Sequence, residues 1–389
     1  MKSKDEINEI LSTNIHKDLL EEMNFFLRKV NERALFQQGV LPSYDDERVA
    51  ALGLEVEYFH PTITLDDRMN YIMDNIVCNE KQSDVNKLGN TIISHFYGAR
   101  GIHQNATGIQ DPKEALVDFD LIGKEQLKYK NTGKIGEYTQ HLRNIAIQAK
   151  INKLAFWGTT ELHTSLQTAG RRTVNEIYYN NARHEDKGTW SNINEFIGSW
   201  TWKKSNAQPN KTIMDAILTA PSLKETFRIM TGENLIGDYY GYHGSVGISI
   251  NPNLPFNHDE RFCMPGPGAR HTLGLLYPIL TKNDVSYADM IIWFRENQKT
   301  LLKGIEFHSS TFNRTVNGIK IFKDDQNELK TYGTEVFHCQ FGIYLRLKEN
   351  PHLIKHRKVS RNEDFINEKC VILNNDITFN FFKKKKYDK

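Results

Sequence analysis

The segment Arg261–Pro278, RFCMPGPGARHTLGLLYP, sets glycine, proline and arginine ahead of an apolar run of helical character. Glycine at a helix start lets an anion approach backbone N–H groups that have no partner inside the helix. A nucleotide-phosphate loop needs G-x-x-x-x-G-K-[ST], with lysine neutralising the phosphates and the hydroxyl holding magnesium. The segment has no lysine. Gly232–Gly237 (GENLIG) has the glycine spacing, but Asp238 and Tyr239 follow, and an aspartate there repels phosphate. Gly266 and Gly268 are followed by His271, so the dinucleotide fingerprint also fails. These patterns argue against nucleotide hydrolysis or phosphorylation by this chain, and no cofactor is expected.

Metal and nucleophile chemistry are equally thin. His258–Asp259 and His338–Cys339 are adjacent pairs, and His352 with His356 has four-residue spacing but no glutamate between. None matches H-E-x-x-H, so no metal is expected. The four cysteines (Cys78, Cys263, Cys339, Cys370) include no C-x-x-C pair, which fits a reducing cytoplasm. No G-x-S-x-G elbow is present.

A glycine hairpin fits better. MTGENLIGDYYGYHGSVGIS (230–249) reads as a helix through Met230, a hairpin near Leu235–Gly237 and a second helix from Asp238. Such a hairpin brings backbone amides to a DNA phosphate without needing lysine. Asp259 lies 22 positions after Gly237 (259 − 237), in FNHDERF. A carboxylate there can stabilise an oxocarbenium-like sugar as a base departs. The second helix holds no lysine, which argues against Schiff-base chemistry. An ordinary loop carboxylate and a structural glycine turn would give the same letters.

The elements that must position these groups read as mainly helical. Apolar residues recur every three to four positions from Glu6 to Val30 and predict helix there. Thr64–Asp67 is a start signal before RMNYIMDNIV, and further helices are expected at Lys81–Tyr97, Gly136–Lys150, Thr173–Arg183 and Ile193–Trp200. Ser222 with Glu225 predicts a capping box, and Asp284 is expected to open a helix carrying Met290, Trp293 and Phe294 on one side. Glu335–Lys348 reads as helix, weakened by Gly342. A few short β-strands are expected at NGIKIF, KCVILNN and ITFNFF, toward the C-terminus.

The chain has 389 residues, 50 basic and 48 acidic, so any basic surface must be local. No run approaches a membrane span, and a cytoplasmic protein with no membrane partner is expected. The tail FFKKKKYDK is either a solvated terminus or a phosphate-tracking segment.

Three blocks carry a resemblance. FFLRKVNERALFQQGVLPSYDDERV…DDRMNYI (Phe25 to Ile72), GPGARHTL (Gly266 to Leu273) and TEVFHCQFGIYLRL (Thr334 to Leu347) are similar to blocks of the α-glutamyl/putrescinyl thymine pyrophosphorylase-like family. That family includes amino acid:DNA transferases of thymine hypermodification and the helical domain of 5-hydroxymethyluracil DNA kinases. The resemblance implies a mainly α fold like that of helix-hairpin-helix DNA glycosylases, over residues 1–350, with lobes 1–215 and 216–350 around a cleft. Residues 351–389 would form a C-terminal extension with a basic tail. In the last block Gln340, Gly342 and Ile343 replace the family's Glu, Asp and Lys, which speaks against transferase chemistry.

The retained residues suit a monofunctional DNA glycosylase that flips and excises a hypermodified pyrimidine, in antiviral defence. The alternative is a phage-type transferase that builds a hypermodified thymine and leaves the glycosidic bond intact. A catalytically dead DNA-binding module is a third class. On the first reading the partner is DNA with modified bases, and no protein partner is expected. Asp259, supported by His258, with Glu335 would be catalytic. Gly237, Gly266, Gly268, Arg270, Arg28 and Arg68 would contact DNA, and Tyr239, Tyr240, Tyr242, Trp157 and Gln340 would hold the flipped base.

Overall fold

The computed structural model describes residues 3–37, 71–97, 111–151, 188–233, 236–255, 261–280, 284–305, 315–316, 319–320, 328–349, 370–373 and 376–379. In chain order the helices are α1 (Lys4–Asn14), α2 (Lys17–Gln37), α3 (Asp84–Tyr97), α4 (Phe119–Thr132), α5 (Glu137–Ile151), α6 (Gly188–Gly198) and α7 (Ile213–Leu218). After them come α8 (Leu223–Thr231), α9 (Asp238–Ser249), α10 (Pro267–Leu276), α11 (Tyr287–Glu296), α12 (Gln298–Leu301) and α13 (Thr331–Glu349). The protein is mainly helical. Two antiparallel pairs, β1 (Thr315–Val316) with β2 (Ile319–Lys320) and β3 (Cys370–Leu373) with β4 (Asp376–Phe379), stay isolated ladders and add no larger sheet among the described residues. None of the described helices is long and apolar enough to cross a membrane.

The chain forms two compact units, one of Met1–Met69 with His258–Val359, the other of Asn70–Asn257 with Ser360–Lys389. Neither is a contiguous stretch, unlike the lobes 1–215 and 216–350 read from the sequence.

In the first unit, α13 is the central helix. Its Phe337, Phe341 and Tyr344 pack with Phe26 of α2, ring centroids 4.7–6.4 Å apart. Tyr344 donates from its hydroxyl to Glu22 (2.6 Å), tying one end of this aromatic stack to α2. The helix expected over 6–30 is two helices. The chain breaks at Ile15 and His16, where the His16 N–H donates to the Leu276 carbonyl at the end of α10 (2.8 Å). Helix α11 starts after Ser286, whose hydroxyl accepts from the Asp289 N–H, two residues later than the Asp284 start expected. Its Met290, Trp293 and Phe294 are buried as the pattern predicts.

In the second unit, Asp118 caps α4 by accepting from the Leu121 N–H, and Gly133 ends it in the left-handed conformation. The buried Asn90 of α3 exchanges two bonds with Val117 (2.8 and 3.0 Å), holding the segment before α4 against α3. Arg143 of α5 meets Glu195 of α6 through two bonds of 2.7 Å, both side chains almost fully buried. Such a pair tolerates burial because each charge is met by bidentate hydrogen bonds. Ser222 caps α8 by accepting from the Glu225 N–H. The reciprocal half of the expected capping box is not what Glu225 does, since its carboxylate goes to Arg228 (2.6 Å) and Gln208 (3.1 Å). The start signal at Thr64–Asp67 and the helix at Thr173–Arg183 lie outside the described residues.

Candidate functional site

Helix α10 begins at the GPGAR turn. Gly266 is its N-cap in an extended conformation, and Pro267 follows as N1, where a missing N–H costs nothing and φ is already helical. The buried Gly266 N–H donates to Glu335 Oε1 at 2.8 Å. Glu335 sits in the first turns of α13 and is 1% exposed. The anion at this helix start is thus a carboxylate of the protein itself. This corrects the reading of Gly266 as an amide open to a DNA phosphate: its hydrogen is already engaged. Gly268 is spoken for sterically, since a Cβ there would run into Cys339 Sγ. Gly342, one turn further along α13, lets that helix approach Thr272 of α10, whose hydroxyl donates to the His338 carbonyl (2.7 Å).

Arg270 is exposed and folds back so that Nε donates to the Pro265 carbonyl (2.7 Å). Its terminal guanidinium nitrogens have no protein partner among the described residues. His338, fully buried one turn after Glu335, holds the Thr334 carbonyl through Nδ1 (2.7 Å). Burial pushes its pKa down from 6.5 to about 4, against the opposing pull of the Thr334 carbonyl and the Glu335 charge. The His338 ring is neutral at pH 7, with Nδ1 as donor. Arg28 is exposed on α2, and Gln340 is half-buried on α13.

The second unit has another glycine-capped helix, α9. Gly237 is its N-cap with no side-chain cap, it is exposed, and none of the described residues lies within 4 Å of where a Cβ would stand. Asp238 opens the first turn. Tyr239 stacks at a tilt on His243 with centroids 4.2 Å apart, and Tyr240 meets Tyr239 edge-on at 5.4 Å. Both tyrosines are half-buried. Tyr242 is fully buried and packs edge-on against His243 at 5.8 Å, so it is a core residue and not the stacking surface expected of it. The turn before the hairpin is pinned by Glu233, which accepts from the Asn206 N–H (3.0 Å) and Lys203 Nζ (2.9 Å).

The structure therefore brings Gly266, Gly268, Arg270 and Glu335 together in one unit. It groups Gly237, Tyr239 and Tyr240 in the other. Asp259, His258, Arg68 and Trp157 lie outside the described residues. Sequence reasoning missed Glu233, which reads as one more polar letter in GENLIG, and missed the steric purpose of Gly342.

Among known protein families, the model for the helical domain of 5-hmdU DNA kinase matches residues 126–352, more than half of the chain. No curated protein and no solved structure matches.

Proposed function

The chain belongs to the family of the helical domain of 5-hmdU DNA kinase, and on that premise we propose that it acts on a modified base in DNA, excising a hypermodified pyrimidine as a monofunctional glycosylase in antiviral defence. One observation carries the reading: the family match spans the Gly237 helix start, Asp259, the GPGAR turn and Glu335 together. The absence of a G-K-[ST] phosphate loop argues against phosphorylation, and the lack of lysine in α9 argues against a Schiff base.

The target nucleotide leaves the stack before its glycosidic bond is broken. The bond between C1′ and the base nitrogen breaks with its electron pair leaving on the base. The Asp259 carboxylate stabilises the cationic sugar and, with His258, takes a proton from the water whose hydroxyl adds at C1′. A proton delivered to the base completes free base and abasic site. Arg270, Arg28 and Arg68 pair with phosphates, and the N–H groups at the α9 start donate to another. Glu335 acts as a positioning residue through its bond to Gly266, which sets the chain that follows Asp259 by seven positions (266 − 259).

A specific observation keeps the second reading in play: the family's description is of an enzyme that decorates DNA, not one that excises from it. A transferase would leave the glycosidic bond intact. Mass spectrometry after incubation with DNA carrying 5-hydroxymethyluracil or bulkier pyrimidines separates the two. Free modified base and abasic sites are expected, with Asp259→Asn slowing release by about 10²–10⁴-fold while DNA binding persists. A heavier nucleoside retained in the strand would establish the transferase instead. Wild-type release by Asp259→Asn would remove that residue from catalysis.

A further inference from the structure

The second unit contains a cavity of about 370 Å³, partly open to solvent, between the turn before α3, the segment before α4 and the start of α5. That size falls at the lower end of small-molecule sites. Its apolar walls are Leu116 and Leu142, 7% and 2% exposed. Around them stand polar groups with spare hydrogen-bonding capacity. The carboxamide of Gln82 and the imidazole of His141 bond to nothing among the described residues. The Tyr138 oxygen accepts from the Asp118 N–H at 2.9 Å, which leaves its own proton to donate. Asp118 commits Oδ1 to the Leu121 N–H (2.9 Å) and Asn86 Nδ2 (3.3 Å), and keeps Oδ2 as an acceptor.

The charges select the ligand class. Lys81 and Glu114 face each other at the rim at 3.9 Å and largely cancel. Asp118 then leaves the interior with negative character, which disfavours a phosphate or carboxylate ligand. Burial raises the Tyr138 pKa to about 12, so the phenol keeps its proton at neutral pH. Two aliphatic walls with donors and acceptors at the edge match a planar, uncharged heterocycle that presents N–H and C=O groups side by side.

We propose that this cavity binds a nucleobase as the free base or nucleoside, held between Leu116 and Leu142 with its polar edge on Gln82, Tyr138 and Asp118. Its lining residues include neither Asp259 nor Arg270, and the inference stands independently of the excision reading.

Calorimetric titration of the full chain with thymidine and with thymidine 5′-monophosphate tests it. Saturable thymidine binding is expected, loosened about tenfold by Gln82→Ala and by Tyr138→Phe, as loss of one hydrogen bond predicts. The monophosphate should bind more weakly than the nucleoside. Asp259→Asn should bind thymidine as the wild type does, which separates this site from catalysis. If Tyr138→Phe fails to fold, Gln82→Ala decides alone, because its side chain supports no other residue. No saturable binding, wild-type affinity in Gln82→Ala, or tighter binding of the monophosphate would each overturn the proposal.

Discussion

Helices α10 and α9 each begin at a glycine N-cap, and the two starts are opposite in character. At α10 the Gly266 amide is buried and donates to Glu335, and Gly268 sits against Cys339. At α9 Gly237 is exposed and none of the described residues occupies the space its missing side chain leaves. The partial positive charge of a helix start attracts an anion in both cases. At α10 that need is met from within the fold, whereas the Gly237 N–H has no such partner among the described residues. A glycine in front of a helix therefore marks an available amide only when the far side of the fold supplies no carboxylate. By this contrast the α10 turn is a rigid mount, with Arg270 as its outward-facing group, and Gly237 carries no such clamp among the described residues.

The largest expected effect lies at the closed end and comes from His338. Its pKa of about 4 lies below the 6.5 of an exposed histidine because burial penalises the charged ring. Above pH 6.5 the ring is neutral in both folded and unfolded chains and costs nothing. Between 6.5 and about 4 the unfolded chain takes up a proton that the folded chain refuses, so stability falls as pH falls. At about 1.4 kcal/mol per pH unit the loss reaches roughly 3 kcal/mol. Denaturant unfolding at pH 7 and pH 4.5 should show a steeper acid loss in the wild type than in His338→Gln, which cannot titrate. Parallel losses in the two proteins would place the acid sensitivity elsewhere.

Next in size is the clamp itself. Glu335→Ala removes the charged acceptor and leaves the Gly266 N–H buried without it, at a cost of about 2 kcal/mol. Glu335→Gln keeps an acceptor oxygen and should recover about half of that, since hydrogen bonds to charged groups are the stronger ones. A loss confined to base release, with no change in unfolding free energy, would make Glu335 a catalytic group and not a positioning one.

How far the sequence foretold this depends on how local each cause is. The α9 start at Asp238 and the Ser222 cap were readable because a cap acts within three residues. The buried face of α11 followed from periodicity for the same reason. The break at Ile15–His16 was not readable, because a bond to Leu276 in another helix makes it. Glu335 was singled out as a functional acid, yet its partner stands 69 positions away, and no spacing rule reaches that far. Gly342 read as a flaw in α13, whereas its lack of a side chain is what admits Thr272. The family resemblance was legible in short blocks, and the match over 126–352, which holds the blocks at Gly266 and Thr334, bears the family out.

The smallest effects test the contrast most directly, because they put the same kind of change at both helix starts. Gly268→Ala drives a methyl group into Cys339 Sγ. Overpacking of that kind costs about 1–3 kcal/mol, and the better helix propensity of alanine returns up to about 1 kcal/mol. A net loss near 1 kcal/mol is expected, relieved when Cys339→Ala is added. Gly237→Ser meets no neighbour among the described residues and gains a side-chain cap, so it should stabilise by a few tenths of a kcal/mol. The same serine hydroxyl would occupy the first-turn amides that a phosphate needs. DNA binding measured by fluorescence anisotropy should therefore loosen in Gly237→Ser although the protein is more stable. If it stays unchanged across a salt series, α9 is open to solvent but not to DNA, and the two helix starts differ in packing alone.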